Sequence, residues 1–103
     1  LCNLLVCLGV WMGYAGRSVA DKVLGVLLPV SAFVALGFEH CVANLYFLPL
    51  SMVLSASGYV VEGIDPALFT WANVAKNLTA ATLGNTVAGV SLAMLYRAAC
   101  AKR

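Results

Sequence analysis

The chain has 103 residues, of which 63% are hydrophobic and 10% are charged, and its mean hydropathy is +0.98. Soluble domains carry about 25% charged residues, so this composition indicates a membrane protein and disfavours a soluble all-α core. The net charge of +2 is too small and too dispersed for a surface that binds nucleic acid.

Stretches without charged residues divide the chain into three predicted membrane segments. They cover residues 1–16, residues 23–61 apart from Glu39 and His40, and residues 77–96. A helix needs about 20 mainly apolar residues to cross the hydrocarbon of a bilayer. We therefore expect an all-α, polytopic helical bundle with its first helix over 1–16 and its last over 77–97.

The middle segment is too long for one membrane helix. Residues 23–61 would extend about 58 Å as a continuous helix, against roughly 30 Å of hydrocarbon. Unpaired backbone groups are not tolerated in lipid, so a break at this depth has to lie inside protein or beside a water-filled path. The sequence therefore predicts two half-helices, over 23–36 and 44–57.

Proline and asparagine fit this division of the middle segment. Pro29 falls inside the first half-helix, which it can bend, and Pro49 falls in the early turns of the second. Asn44 is the expected N-cap of the second half, because its side chain can accept from freed backbone amides.

Glu39 and His40 lie at the expected break. Ionisable groups inside a membrane are costly and by default mark a substrate or proton path. The alternative for His40 is a buried histidine bonded to a neighbouring helix. We favour the pathway because this histidine lies inside the membrane, at a helix break and beside a carboxylate. Glu39 is expected to pair with freed amides and shape the break. No metal or other cofactor is expected, since the chain has no second histidine.

Small residues in the first and last helices predict close helix packing. Gly9 and Gly13 form a GxxxG pattern in the first helix. The last helix carries two adjacent small stripes, one with Gly84 at its centre and one with Asn85 and Gly89. We therefore expect this helix to pack on more than one side, as in a bundle or an oligomer.

The distribution of basic residues predicts orientation. Arg17 and Lys22 follow the first segment, and Arg97, Lys102 and Arg103 follow the last. Positive charge next to a span favours the cytoplasm, so the loop after the first segment and the C-terminus are both expected to lie inside. The chain then starts outside in mid-helix, and we expect it to be the C-terminal part of a longer, repeat-built protein.

Three motifs resemble the formate/nitrite transporter family, most closely its formate channels. They are CNLLVCLGVWMGYAGRSVADK at residues 2–22, FVALGFEHCVANLYFLP at 33–49 and NLTAATLGNTVAG at 77–89. The resemblance runs from end to end. It implies an aquaporin-like protomer of six helices in two inverted halves, of which this chain is similar to helices four to six. It also implies a homopentamer in the plasma (inner) membrane, with one pore in each protomer.

The resemblance assigns roles to residues of the pathway. His40 matches the family's central histidine, Glu39 the glutamate beside it, and Asn3 a polar asparagine of the fourth helix near that histidine. Phe33 and Val6 match apolar constriction positions on either side of the centre.

Other matches concern the broken helix. Its loop is expected to contain Gly37, Phe38, Glu39 and Cys41 and to end at Asn44. In the family a serine follows the histidine, and Cys41 replaces it here, a small change that can alter local hydrogen bonding.

The last helix contributes Thr82, Gly84 and Asn85, for which the resemblance implies a structural role. The turn GRSVADK at residues 16–22 favours formate channels over nitrite-type relatives. The family's other broken helix, and a lysine early in its fourth helix, have no counterpart in this sequence.

The resemblance implies a channel for small monovalent anions, most closely formate, with nitrite or another small anion as the alternative. His40 would protonate the anion, and the neutral acid would pass Phe33 and Val6, so protons and the lipid bilayer are expected partners. The competing hypothesis is a non-conducting scaffold with Glu39 and His40 as a buried structural pair. An enzyme is not expected, because no nucleophile with a positioned base is found.

Overall fold

The computed structural model describes residues 1–59 and 62–101. Within these ranges it contains four α-helices, one short 3-10 helix and no strand, which confirms the all-α expectation. The elements in chain order are α1 (Cys2–Ala15), α2 (Val19–Ala35), α3 (Cys41–Ala56), η1 (Pro66–Leu68) and α4 (Trp71–Cys100).

The turn between α1 and α2 is built by a capping box. The Ser18 hydroxyl accepts from the Asp21 amide at 3.1 Å, and the Asp21 carboxylate accepts from the Ser18 amide at 3.0 Å. This satisfies amides that a helix start leaves open, so α2 begins at Val19 rather than at the predicted residue 23. A Cβ at Gly16 would lie 3.0 Å from the Lys22 amide nitrogen, so the turn also requires a glycine.

Helices α1 and α2 pack through their small residues, as the GxxxG pattern indicates. A Cβ at Gly9 would lie 3.3 Å from Cγ of the buried Pro29, and one at Gly25 would lie 3.1 Å from Cβ of Met12. Backbone can approach this closely only where a side chain is absent. Gly13 is less crowded, since its added Cβ would be 3.5 Å from Val26 Cγ2.

The middle segment is broken between Ala35 and Cys41, but its second half begins earlier than predicted. Gly37 has a φ of +64°, which is a left-handed conformation that glycine adopts without strain. The prediction that Asn44 is the N-cap of α3 is wrong, because the N-cap is His40. Asn44 lies inside the first turn, where its amide donates to the His40 carbonyl at 2.9 Å.

Helix α4 begins at Trp71, six residues before the predicted start. The Thr70 hydroxyl accepts from the Asn73 amide at 3.3 Å, and Asn73 Nδ2 donates to the Leu68 carbonyl at 2.9 Å. These bonds start the helix before Lys76, the charged residue that set the limit of the predicted segment. Of the described helices, α4 is the one long and apolar enough to cross a membrane, while α1 and α3 are apolar but shorter.

The chain divides into two compact units, one of residues 1–39 with the described part of 84–103, and one of residues 40–83. Among the described residues few side chains are buried: Cys2, Pro29 and Asn85 in the first unit, and Val74 and Ala81 in the second. Most large apolar side chains in the described ranges are exposed, which fits a protein whose surface meets lipid or further protein.

Four residues used in the predictions lie outside the described ranges. They are Val60 and Val61, at the end of the predicted middle segment, and Lys102 and Arg103, which belong to the basic cluster that predicts orientation.

Candidate functional site

A chain of side-chain hydrogen bonds joins three parts of the first unit. Asn3 Nδ2, in the first turn of α1, donates to the Asn85 carbonyl at 2.8 Å. Asn85 Nδ2, on α4, donates in turn to the Glu39 carbonyl at 2.9 Å. We call Asn3, Asn85 and the Glu39 carbonyl the amide relay. It gives a donor to a carbonyl of the α2–α3 connection.

Burial makes the bonds of the amide relay significant. Asn85 is 7% exposed, although it is polar and lies in an apolar helix. A buried amide is tolerated where its polar groups are hydrogen-bonded. Truncating the side chain leaves its partners without those hydrogen bonds. Sequence reasoning gave Asn85 a structural role without a partner. The available signal was an asparagine within a small-residue stripe at helical spacing.

The second unit contains His40, which caps α3 with its ring. Its Nδ1 accepts from the Val42 amide at 3.2 Å. A ring nitrogen that accepts carries no proton, so in this arrangement the proton of the neutral ring is on Nε2. The central histidine of the prediction is therefore also the residue that starts the second half-helix. It is half-buried within the chain.

Asn44 makes a polar contact between two helices of the second unit. Its Nδ2 donates to Asn77 Oδ1 at 2.8 Å, which links α3 to the first part of α4. Asn77 was not among the predicted site residues. Its polarity inside the apolar helix was the signal that could have found it.

The remaining predicted residues are placed as follows. Val6 and Phe33, the expected constriction, are half-buried in the first unit, on α1 and α2. Thr82 is exposed on α4, and a Cβ added at Gly84 would meet no atom within 4 Å. Gly37 and Phe38 lie in the connection after α2, and Cys41 is the first residue of α3. Among the described residues, no group of three or more His, Cys, Asp or Glu side chains could hold a metal ion.

Comparisons with protein families and with individual proteins agree with each other. Residues 1–99 match the formate/nitrite transporter family. The formate channel FocB of Escherichia coli K12 is 39% identical over 95% of this chain and 38% of its own length. The formate channel FocA of Haemophilus influenzae is 39% identical over 86% of this chain and 34% of its own length.

A third relative, the probable formate transporter of Methanothermobacter thermautotrophicus, is 39% identical over 92% of this chain and 31% of its own length. No solved structure matches the chain. The chain thus spans about a third of the length of these relatives. Since the family match covers almost every residue, the chain belongs to the formate/nitrite transporter family.

Proposed function

We propose that this chain forms part of a membrane channel for small monovalent anions, with formate as the principal substrate and nitrite as the alternative. The proposal is supported by the family, by relatives named formate channels, and by the interrupted middle segment. The observation that carries it is His40, an ionisable side chain that caps α3 at the break of an otherwise apolar stretch.

The physical problem for such a channel is desolvation. A bare carboxylate that enters a dry apolar constriction loses hydration worth tens of kcal/mol in the ideal limit. The neutral acid loses far less, because only its polar groups must be desolvated. A channel that supplies a proton at the centre therefore lets the solute pass Val6 and Phe33 uncharged, while hydrated cations stay excluded.

His40 is the proposed proton donor. Because its ring also caps α3, proton transfer requires a change in the hydrogen bond at Nδ1. A neutral ring whose Nδ1 accepts from Val42 can donate a hydrogen bond from Nε2. To transfer a proton the ring must first be doubly protonated, and Nδ1 can then no longer accept. Protonation of His40 thus releases one bond at the start of α3. Histidine suits this role, since its unperturbed charge change falls between about pH 5 and 8.

Two substitutions separate the two ring nitrogens. His40→Asn places an acceptor near the position of Nδ1 and keeps the cap. His40→Gln places an amide nitrogen near the position of Nε2 and weakens the cap. In the full-length channel that contains this chain, we expect both variants to lose the pH dependence of formate flux into liposomes between about pH 5 and 8.

The two variants differ in what they retain. His40→Gln keeps a distal donor and so retains more flux than His40→Asn. Wild-type flux with wild-type pH dependence in both would reject the role of His40 as donor. A full-length wild-type protein without flux would reject the channel and favour the scaffold.

The assembly that we propose follows the family. Six helices in two inverted halves would form an aquaporin-like protomer, and five protomers would form a pentamer in the inner membrane with one pore each. The C-terminus would face the cytoplasm. Competition between formate and nitrite for flux in the same liposomes identifies the preferred anion.

A further inference from the structure

Gly89 lies one helical turn after Asn85 on α4 and is packed against the side chain of Asn3. A Cβ added at Gly89 would lie 2.7 Å from Asn3 Nδ2, a separation that real Cβ atoms essentially never show. The next atoms are Cys7 Sγ at 3.6 Å and Asn3 Cγ at 3.7 Å, which are ordinary contacts. The missing side chain of Gly89 therefore makes room for the Asn3 amide.

The bond from Asn3 to α4 fixes the orientation of the Asn3 amide group. Nδ2 donates to the Asn85 carbonyl at 2.8 Å. A carbonyl oxygen only accepts, so the nitrogen end of Asn3 has to face α4. In an α-helix the carbonyl of residue 85 also accepts from the amide of residue 89, and its second lone pair takes the Asn3 donor.

We infer that Gly89 and the Asn85 carbonyl form a seat that positions Asn3 for the permeating solute, with Gly89 as the positioning residue. This inference rests on the proposed function, in which Asn3 lies on the pathway. With one N–H committed to α4, the end of the amide that α4 does not hold is the oxygen Oδ1. An oxygen acceptor bonds the O–H of a protonated acid and repels a carboxylate, so the seat favours the neutral form of the solute.

A double-mutant cycle in the full-length channel tests the seat. The variants are Gly89→Ala, Asn3→Ala and the two combined. Gly13→Ala is the matched control, because it is also a glycine in an apolar helix and its Cβ would meet Val26 Cγ2 at an ordinary 3.5 Å. Formate flux into liposomes is measured together with assembly in detergent by gel filtration.

We expect Gly89→Ala to lower flux about fivefold, the factor that loss of one ordinary hydrogen bond gives. Asn3→Ala and the combined variant should fall to the same level, because both substitutions remove the same positioned amide. Gly13→Ala should keep wild-type flux. Wild-type flux in Gly89→Ala, or losses that multiply in the combined variant, would overturn the inference.

A purely structural role for Gly89 gives a different pattern. Asn3→Ala would then keep wild-type flux, and the combined variant would recover it as the clash disappears, which also overturns the inference. If Gly89→Ala does not assemble, the combined variant decides. Restored assembly with flux lowered to the level of Asn3→Ala supports the seat, whereas restored assembly with wild-type flux, or failed assembly, rejects it.

The outcomes separate this inference from the proposed function. If the wild-type channel conducts formate and depends on His40 while Gly89→Ala is unaffected, only the seat is wrong. If the wild-type channel does not conduct formate, the proposed function is wrong.

Discussion

Asn85 shows how one side chain stabilises a non-helical stretch of a membrane protein. Its Nδ2 donates to the Glu39 carbonyl, and the residue is 7% exposed. Asn85→Leu leaves that carbonyl without this donor, so we expect a loss of about 1–3 kcal/mol of stability. Thermal unfolding in detergent measures it. Ser91→Leu, at an exposed position of the same helix, is the control. Equal melting temperatures for the two variants would contradict the role of Asn85.

Substitution of Gly37 tests the backbone conformation of the break separately from side-chain contacts. Its φ is +64°, and an added Cβ would meet no atom within 4 Å. The cost of Gly37→Ala is therefore conformational, about 1–2 kcal/mol for a left-handed residue with a Cβ. Asparagine visits this region more readily, so Gly37→Asn should be less destabilising. The same unfolding assay compares them, and an alanine variant as stable as the wild type would show that the backbone relaxes.

The N-terminus of α2 has a pH dependence of predictable sign. Hydrogen bonds from the Ser18 amide, the Ser18 hydroxyl and the Arg17 amide hold the pKa of Asp21 below its ordinary 3.8. Asp21 lies in the charged turn that precedes the apolar part of α2, and its carboxylate form is favoured by folding. The stabilisation is therefore complete above about pH 4 and is lost as pH falls through the lowered pKa.

A carboxyl NMR titration of Asp21 in lipid nanodiscs checks this prediction. We expect a midpoint below 3.8 in the wild type. In Ser18→Ala the midpoint should move upward, because the capping box loses its hydroxyl. A midpoint that Ser18→Ala leaves unchanged would mean that the capping box does not control this carboxylate.

Hydropathy and segment length were enough to predict helices and to place the break near Gly37, because both follow from the thickness of a bilayer. They did not predict where α3 begins. Asn44 is the better capping residue by type, but His40 takes the position with its ring nitrogen. The start of α4 was also missed, since the segment was bounded at the charge of Lys76 and the bonds of Thr70 and Asn73 lie before it.

The sequence predicted the residues of the amide relay in the candidate site, but it did not predict the hydrogen bonds between them. The amide relay joins residues 3, 39 and 85, and the contact of Gly89 with Asn3 joins residues 86 positions apart. No periodicity along the chain reports such pairs, because they depend on how helices meet. The family resemblance supplied the positions of Asn3, Glu39 and Asn85, while their donors and acceptors and the contact of Gly89 required coordinates.

The exposed apolar surface of the described residues and the small number of buried side chains indicate a chain stabilised by its surroundings. Tyr14, Leu28 and Trp71 are among the most exposed, at 83%, 71% and 68%. Burying this area against lipid or protein contributes roughly 25 cal/mol per Å² of apolar surface. We therefore expect the chain to remain in the membrane fraction after alkaline carbonate extraction. Release into the soluble fraction would contradict a membrane-embedded arrangement.

The number of spans is the property on which composition and helix length disagree. Helix α4 is long enough to cross the bilayer by itself, whereas the shorter α1 and α3 are not. The proposed channel has three spans, with α2 and α3 together forming the middle one. Three spans place Ser18 and Ala67 on opposite sides of the membrane, whereas α4 as the single span places them on the same side.

Single cysteines at these positions, in a cysteine-free full-length channel, distinguish the two arrangements with an impermeant thiol reagent applied to intact cells. Since positive charge favours the cytoplasm, we expect Ala67→Cys to be labelled and Ser18→Cys to be protected. Labelling of both cysteines would mean that α2 and α3 do not cross the membrane. The break would then lie outside the membrane interior, and His40 could not act at the centre of a pore.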